Sequence, residues 1–268
     1  MMDRGIIDVI WMIKYNSHVK TKSILKAVLN RGRFFTHIFL YNPSCKKNMG
    51  GQKGMEEVFL VSKEETEIDW EEHAFDTPER IFVEDENRRY RSVNDCLMEK
   101  ESGMLAAACV NSILPTDGSL QSLGPWSFSR FMFNGLCMKM NPLILPDSVR
   151  EIGEGAFSVC SDESVHIIVP DNVRKVGRLA FMIYFEEPDE GGSDHRHITI
   201  TFLGDRAALE TGVFGTVEEL KNVQDPIIRS MPENVCADIS RLTVQGPADS
   251  DIRRYCERYG IHFQSIVA

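Results

Sequence analysis

Two segments of the chain can be laid over each other. Residues 143–157 read LILPDSVREIGEGAF and residues 167–181 read IIVPDNVRKVGRLAF. Each places Pro, then Val three positions on, then an aliphatic–Gly pair, then Ala-Phe, and Pro146 and Pro170 lie twenty-four residues apart. The apolar residues before each Pro alternate, as a short half-buried strand requires. Pro ends that strand because it cannot donate to the ladder. The Ile-Gly or Val-Gly pair brings the chain back, with Gly expected to allow a tight or positive-φ bend. Ala-Phe then sets a large apolar wedge beside a small residue. One such unit cannot bury its own apolar face, but stacked neighbours can.

More units follow once this spacing is known. Residues 113–128 (ILPTDGSLQSLGPWSF) form a third copy with two residues inserted before Leu123-Gly124. A fainter one is residues 59–75, which keeps Ala74-Phe75 and carries Trp70 in the aliphatic position. Degraded copies appear at 198–214 and from Leu242. Phe128, Phe157 and Phe181 are expected to form a column.

The units resemble the BspA-type leucine-rich repeat of many bacterial and some protozoan proteins, whose unit reads I-x-I-P-x-x-V-x-x-I-G-x-x-A-F-x-x-C. Leu143, Leu145, Pro146, Val149, Ile152, Gly153, Ala156, Phe157 and Cys160 match it, as do Ile167, Val169, Pro170, Val173, Val176, Gly177, Ala180 and Phe181; Tyr184 stands where the pattern has Cys. Residues 81–97 look like that family's V-x-x-x-N-x-x-Y-x-S-x-D-G-x-L unit, with Asn94-Asp95-Cys96 departing from its Asp-Gly turn, and residues 251–263 look like its closing helix, Gly stop and final strand. The resemblance spans about residues 56–265. It implies a β-rich repeat solenoid of about six units, with short parallel strands in one thin sheet and irregular, 3₁₀ or short helical turns opposite. It also implies a binding surface, often on the cell exterior, with no active site common to the family.

Charge marks a boundary. Residues 1–55 carry ten Lys or Arg against two acids, a charge of +8, which leaves −18 for the rest of a chain whose net charge is −10. The expected organisation is a basic N-terminal extension over 1–55, helical or disordered, and a repeat domain with a C-terminal cap over 56–268. The extension reads as a basic amphipathic helix at a membrane surface or partner, as a poorly packed extension, or as sequence before a true start at Met55. The net acidity argues against nucleic acid as the main partner. No run is long enough for a membrane-spanning helix. No signal peptide is read, so the default location is cytoplasmic, with cell surface or secretion as the alternative.

Candidate chemistry is sparse. The cysteines number seven, an odd count without a C-x-x-C pair, which disfavours a disulfide framework or structural zinc site and favours buried thiols, Cys96, Cys109 and Cys160 among them. Asp194-His195-Arg196-His197 could hold a metal, but a histidine stretch beside Gly191-Gly192 reads more readily as a solvated loop. Gly50–Gly54 lacks phosphate-loop spacing and reads as a linker. Glu64–Glu72 reads as a solvated acidic face. No catalytic, cofactor-binding or metal-binding residue is assigned, and no cofactor is expected. A protein partner is expected instead. The residue two before each Pro should point away from the core, giving Ile113, Ile144 and Ile168, with His166, Thr199, Thr201 and Thr243 continuing the row; contiguous exposed apolar side chains mark interaction sites. The expected function is non-enzymatic protein binding through this strand face. The alternative is an exported adhesin-type module that binds host matrix or glycan.

Overall fold

The twenty-four-residue spacing becomes a set of parallel strands lying side by side. The computed structural model describes residues 57–266, apart from 71, 74–75, 132–140, 162, 186–194, 230 and 232–235. The N-terminal extension, Ala74-Phe75 and Asp194 lie outside the described residues. In the described unit, strands β7 (Leu143–Ile144), β10 (Val165–Val169), β13 (Ile198–Phe202), β15 (Leu242–Pro247) and β16 (His262–Ile266) form a five-stranded, wholly parallel sheet in that order. Their inward residues Leu143, Ile167, Ile200 and Val244 are in register from strand to strand and buried. Register is fixed here because a one-residue slip would turn that apolar set to water.

One thin sheet was expected; a second ladder stands where irregular turns were. Strands β3 (Tyr90–Val93) and β4 (Cys96–Glu99) form an antiparallel hairpin, and β5 (Met104–Ala108) pairs antiparallel with β4. From β5 the ladder continues in parallel through the two-residue strands β6 (Ser122–Leu123), β8 (Glu151–Ile152), β11 (Lys175–Val176) and β14 (Ala208–Leu209). Short parallel pairs are also made by β1 (Val58–Val61) with β2 (Arg80–Val83), and by β9 (Val159–Ser161) with β12 (Ile183–Phe185). The fold is strand-rich, with mostly parallel sheets, no closed barrel and few helices among the described residues. The β3–β4 hairpin turns through Asn94 (φ 50°) and Asp95 (φ 59°). Two successive left-handed residues suit a two-residue hairpin, and Asn and Asp tolerate that region better than most side chains.

The glycine after each aliphatic residue has a different reason from the expected one. Gly124, Gly153 and Gly177 do not have positive φ. They sit where one rung touches the next: a Cβ on Gly153 would lie 2.8 Å from the Gly124 carbonyl carbon, and one on Gly177 would lie 2.7 Å from the Glu154 nitrogen. Their N–H groups bond across that gap, Gly153 to the Leu123 carbonyl and Gly177 to the Ile152 carbonyl, both at 2.8 Å. The positive-φ bend falls two residues later, at Trp126, Gly155, Leu179 and Gly212 in successive units. Trp and Leu are poor residues for that conformation, which costs roughly 1–2 kcal/mol for a side chain with a Cβ. Their retention shows that neighbouring rungs dictate the backbone there.

Phe128, Phe157 and Phe181 form a column. Ring centroids are 4.6 Å apart from Phe128 to Phe157 and 5.6 Å from Phe157 to Phe181, both stacked. Phe214 extends the stack at 6.0 Å from Phe181, and Tyr255 closes it at 6.0 Å from Phe214. The Phe128 N–H donates to the Ala156 carbonyl at 3.0 Å and the Phe157 N–H to the Ala180 carbonyl at 2.8 Å, so the backbone beside the stack is hydrogen-bonded from rung to rung too. Tyr255 lies on the helix Asp251–Tyr259, here α3, after the short helices α1 (Val217–Leu220) and α2 (Pro226–Arg229). Ser250 caps the α3 N-terminus by accepting from the Arg253 N–H, and Gly260 ends the helix in the left-handed region at φ 68° before β16 begins.

Candidate functional site

Strand alternation puts one side of the five-stranded sheet outside, and strand register arranges those outward residues in rows. One row runs Ile144, Ile168, Thr201, Gln245, Gln264, and the next runs His166, Thr199, Thr243, His262. The sequence-derived residues Ile144, Ile168, His166, Thr199, Thr201 and Thr243 are therefore brought onto one face. Ile144 is 62 % exposed, and Ile168, His166, Thr199 and Thr243 are half-buried.

Two residues depart from expectation. Ile113 is also 62 % exposed, but it belongs to no strand; its N–H donates to the Asn94 carbonyl at 3.0 Å, beside the β3–β4 hairpin tip. The two-residue insertion in its unit comes with loss of the strand. Thr201 points outward yet is only 7 % exposed, because longer side chains on the adjoining strands lean over it. Its hydroxyl donates to Gln245 Oε1 at 2.8 Å and pairs with His166 Nε2 at 3.0 Å. Since that hydroxyl proton goes to Gln245, His166 must carry its proton on Nε2 and donate. Gln245 Nε2 in turn donates to Gln264 Oε1 at 2.8 Å. The result is a hydrogen-bond chain, all pointing the same way, across β10, β13, β15 and β16. His197, just before β13, makes a similar bond to the Thr243 hydroxyl at 2.8 Å.

Sequence reasoning missed Gln245, Gln264 and His262. The period of two that selects Thr243 also selects Gln245, so that residue was readable; the other two required knowing that the closing segment joins this sheet. It also missed exposed Val58, Leu60 and Phe82 on β1 and β2, where Leu60 and Phe82 are register partners.

The face is almost without charge. None of the outward residues on β7, β10, β13, β15 and β16 in these rows is Asp, Glu, Lys or Arg, although such residues make up 26% of the chain. The outward positions of the second ladder include Glu151 and Lys175. Charge depletion at the centre of a patch, more than overall apolarity, distinguishes interface cores from ordinary surface.

Other candidates resolve differently. No group of three or more metal-ligating side chains occurs among the described residues. His195 is exposed and His197 is engaged with Thr243. Cys96, Cys109, Cys236 and Cys256 are buried and unbridged. Burial pushes the Cys109 thiol up, and pushes that of Cys256 up to about 12 with help from the Glu219 and Glu257 charges. A thiol held so far from ionisation is a poor nucleophile. No helix among the described residues is long and apolar enough to cross a membrane.

No family model matches the sequence, and no curated protein matches it. A solved structure that is similar is the pneumococcal vaccine antigen PcpA, at 13% identity and a TM-score of 0.35, over 79% of this chain and 56% of that one. The chain thus spans little more than half the length of that antigen.

Proposed function

We propose that the chain is a leucine-rich-repeat solenoid of the BspA type that binds a protein partner through the outward face of its five-stranded sheet, without catalysing a reaction. The observation that carries this reading is the charge-free surface from Ile144 and Ile168 to Thr199, Thr243 and Gln264. An Ile pair in register, with Ile144 exposed and Ile168 half-buried, costs solubility. Its side chains are presented by a parallel sheet whose other face is locked by Leu143, Ile167, Ile200 and Val244, so the surface is preorganised and loses little entropy on binding. The phenylalanine column supports the solenoid reading, because it makes each unit the hydrophobic floor of the next. The Cys109 and Cys256 thiols, both held away from ionisation by burial, support a binding role over nucleophilic chemistry at those positions.

The test compares the full chain with Ile144→Glu/Ile168→Glu, each immobilised and exposed to extract from the source cells. Exposed substitutions of this kind leave folding within about 0.5 kcal/mol, so both proteins should give the same circular dichroism and melting temperature. A protein retained by the native chain and by a Glu151→Lys/Lys175→Glu control on the second ladder, but lost from the double Glu variant, supports the reading. Equal retention on all three refutes the assignment of this face. Unfolding of the double Glu variant refutes its exposure.

A further inference from the structure

Arg130 is a charged group that the fold leaves poorly satisfied among the described residues. Its guanidinium carbon lies 4.9 Å from the centre of the Trp70 ring, over the aromatic face. Trp70 belongs to an aromatic wall with Phe131 at 6.1 Å and Phe59 at 6.1 Å between ring centres, and Phe59 and Phe131 are themselves 5.1 Å apart. Among the described residues Arg130 Nε is buried with no hydrogen-bond partner. Several arginines find carboxylates: Arg89 pairs with Glu99 at 2.9 Å, Arg80 with Asp95 at 3.3 Å and Arg178 with Glu154 at 2.8 Å. Arg130 has no such pair among the described residues. Burial lowers its pKa to about 10, with the nearby Tyr90 opposing that shift. A desolvated charge without a partner is expensive, and a ligand carboxylate would offset that cost.

We propose that Arg130 and Trp70 form a binding site for an organic carboxylate, with the guanidinium fork receiving the carboxylate and the partly exposed Trp70 ring, backed by the buried Phe59 and Phe131, receiving the adjoining apolar atoms. Arg130 and Trp70 are each partly exposed, so the fork is reachable while its stem is fixed. Contact with the Trp70 ring holds the guanidinium in place, which favours carboxylate recognition by its planar fork. A single positive charge matches a singly charged carboxylate; the nearby Arg89 is already held by Glu99 and the Thr66 carbonyl and adds no second charge for a phosphate. This site is separate from the strand face, and neither reading rests on the other.

The experiment is a melting series on the full chain at constant ionic strength, with chloride replaced by benzoate, by phosphate, or by a blocked peptide containing one Glu or, as its control, one Gln. Saturating benzoate should raise the melting temperature by about 3 °C, the shift for a ligand at roughly ten times its dissociation constant in a domain this size. Arg130→Met should abolish the rise and, in chloride alone, melt no lower than the native chain, since it removes an unpaired charge and keeps the apolar contact. Arg130→Lys keeps the charge without the fork and should show at most a small part of the rise. A larger shift with the Glu peptide than with benzoate places the carboxylate on a protein partner; the reverse places it on a small molecule. The proposal is overturned by no shift with either carboxylate, by an equal shift with phosphate, by full response in the Lys variant, or by an Arg130→Met chain that melts well below native.

Discussion

The Tyr255 hydroxyl donates a 2.6 Å hydrogen bond to Glu219 Oε1, and the hydroxyl oxygen of Tyr255 accepts from the backbone N–H groups of Gly212 at 3.0 Å and Val213 at 3.3 Å. In earlier units the equivalent of the Gly212 N–H bonds the next rung: Gly155 donates to the Arg178 carbonyl at 2.9 Å. The second ladder ends at β14 among the described residues, and Tyr255 supplies the acceptor that a next rung would have given. Glu219 does the same for the Phe214 N–H at 3.1 Å, the counterpart of the Phe157 N–H, and completes a capping box with Thr216. Tyr255→Phe should keep the ring contact with Phe214 but leave two buried N–H groups and one carboxylate oxygen short of a partner. Urea unfolding should show a loss of about 1–3 kcal/mol. A loss below a few tenths of a kcal/mol would mean that water replaces the hydroxyl and that Tyr255 contributes only its ring.

The same carboxyl gives the fold a pH dependence. Glu219 is fully buried, and desolvation raises its pKa despite hydrogen bonds from Tyr255, Thr216 and Phe214 that pull the other way. A carboxyl raised on folding binds its proton more tightly in the folded state. Its contribution to stability is complete below the ordinary glutamate value, near 4.3, and is lost as pH rises through the folded value. Glu219→Gln has no proton to lose. The stability of the native chain relative to Glu219→Gln should therefore decline as pH is raised from about 4 towards neutrality. In Tyr255→Phe, which lacks the hydroxyl donor, that decline should move to higher pH. A native-minus-Gln difference that is flat with pH would show that Glu219 titrates at its ordinary value.

How far the sequence could be read follows from which residues carry each feature. The Pro-to-Phe spacing revealed the rungs and the column because both depend on large apolar side chains at fixed intervals, a pattern that survives in a single sequence. The second ladder was not legible. Its strands Ser122–Leu123, Glu151–Ile152 and Lys175–Val176 are two residues long, too short for any period to appear, and each pairs only because the neighbouring rung holds it there. The glycine role was misplaced for a related reason: Gly153 and Gly177 answer to a close approach from the preceding rung, which sequence does not display. On the outward face of the five-stranded sheet, Ile144 and Ile168 followed from alternation, whereas the shielding of Thr201 comes from His166 and Gln245 on other strands. The end cap was beyond reach, since Tyr255 and Glu219 are thirty-six residues apart and meet only in the folded chain.

Gly155 tests the left-handed position directly. It has φ 61°, and a Cβ added there would lie 2.5 Å from Trp126 Cε3, so alanine would both strain the backbone and collide with the indole. Gly118 has φ 86°, but nothing lies within 4 Å of its Cβ position. Gly118→Ala should cost only the conformational strain, about 1 kcal/mol, and Gly155→Ala about 2–4 kcal/mol. Gly155→Ala combined with Trp126→Gly removes the collision and also relaxes the non-glycine left-handed residue at φ 59° in the preceding unit. That double variant should recover more stability than the sum of the single effects allows, a coupling measurable by a double-mutant cycle. Additive losses would show that the Trp126 ring moves aside without cost.

Thiol reactivity reports how firmly the column and its cap stay closed. With a pKa of about 12, Cys256 is ionised at roughly one part in ten thousand at pH 8, against about a quarter for an ordinary exposed thiol. Cys109 is held up in the same direction by burial, with Ser112 opposing. Reaction with iodoacetamide at pH 8 must then wait for local or global opening, so labelling of Cys256 should run at least a hundredfold slower in the native chain than in urea. Peptide mapping of the labelled protein separates the positions. Tyr255→Phe weakens the cap that holds α3 and should speed labelling of Cys256 on that helix while leaving Cys109 unchanged, because Cys109 belongs to the separate core around Phe59 and Phe131. Parallel acceleration at both cysteines would show instead that the fold opens as one unit from end to end.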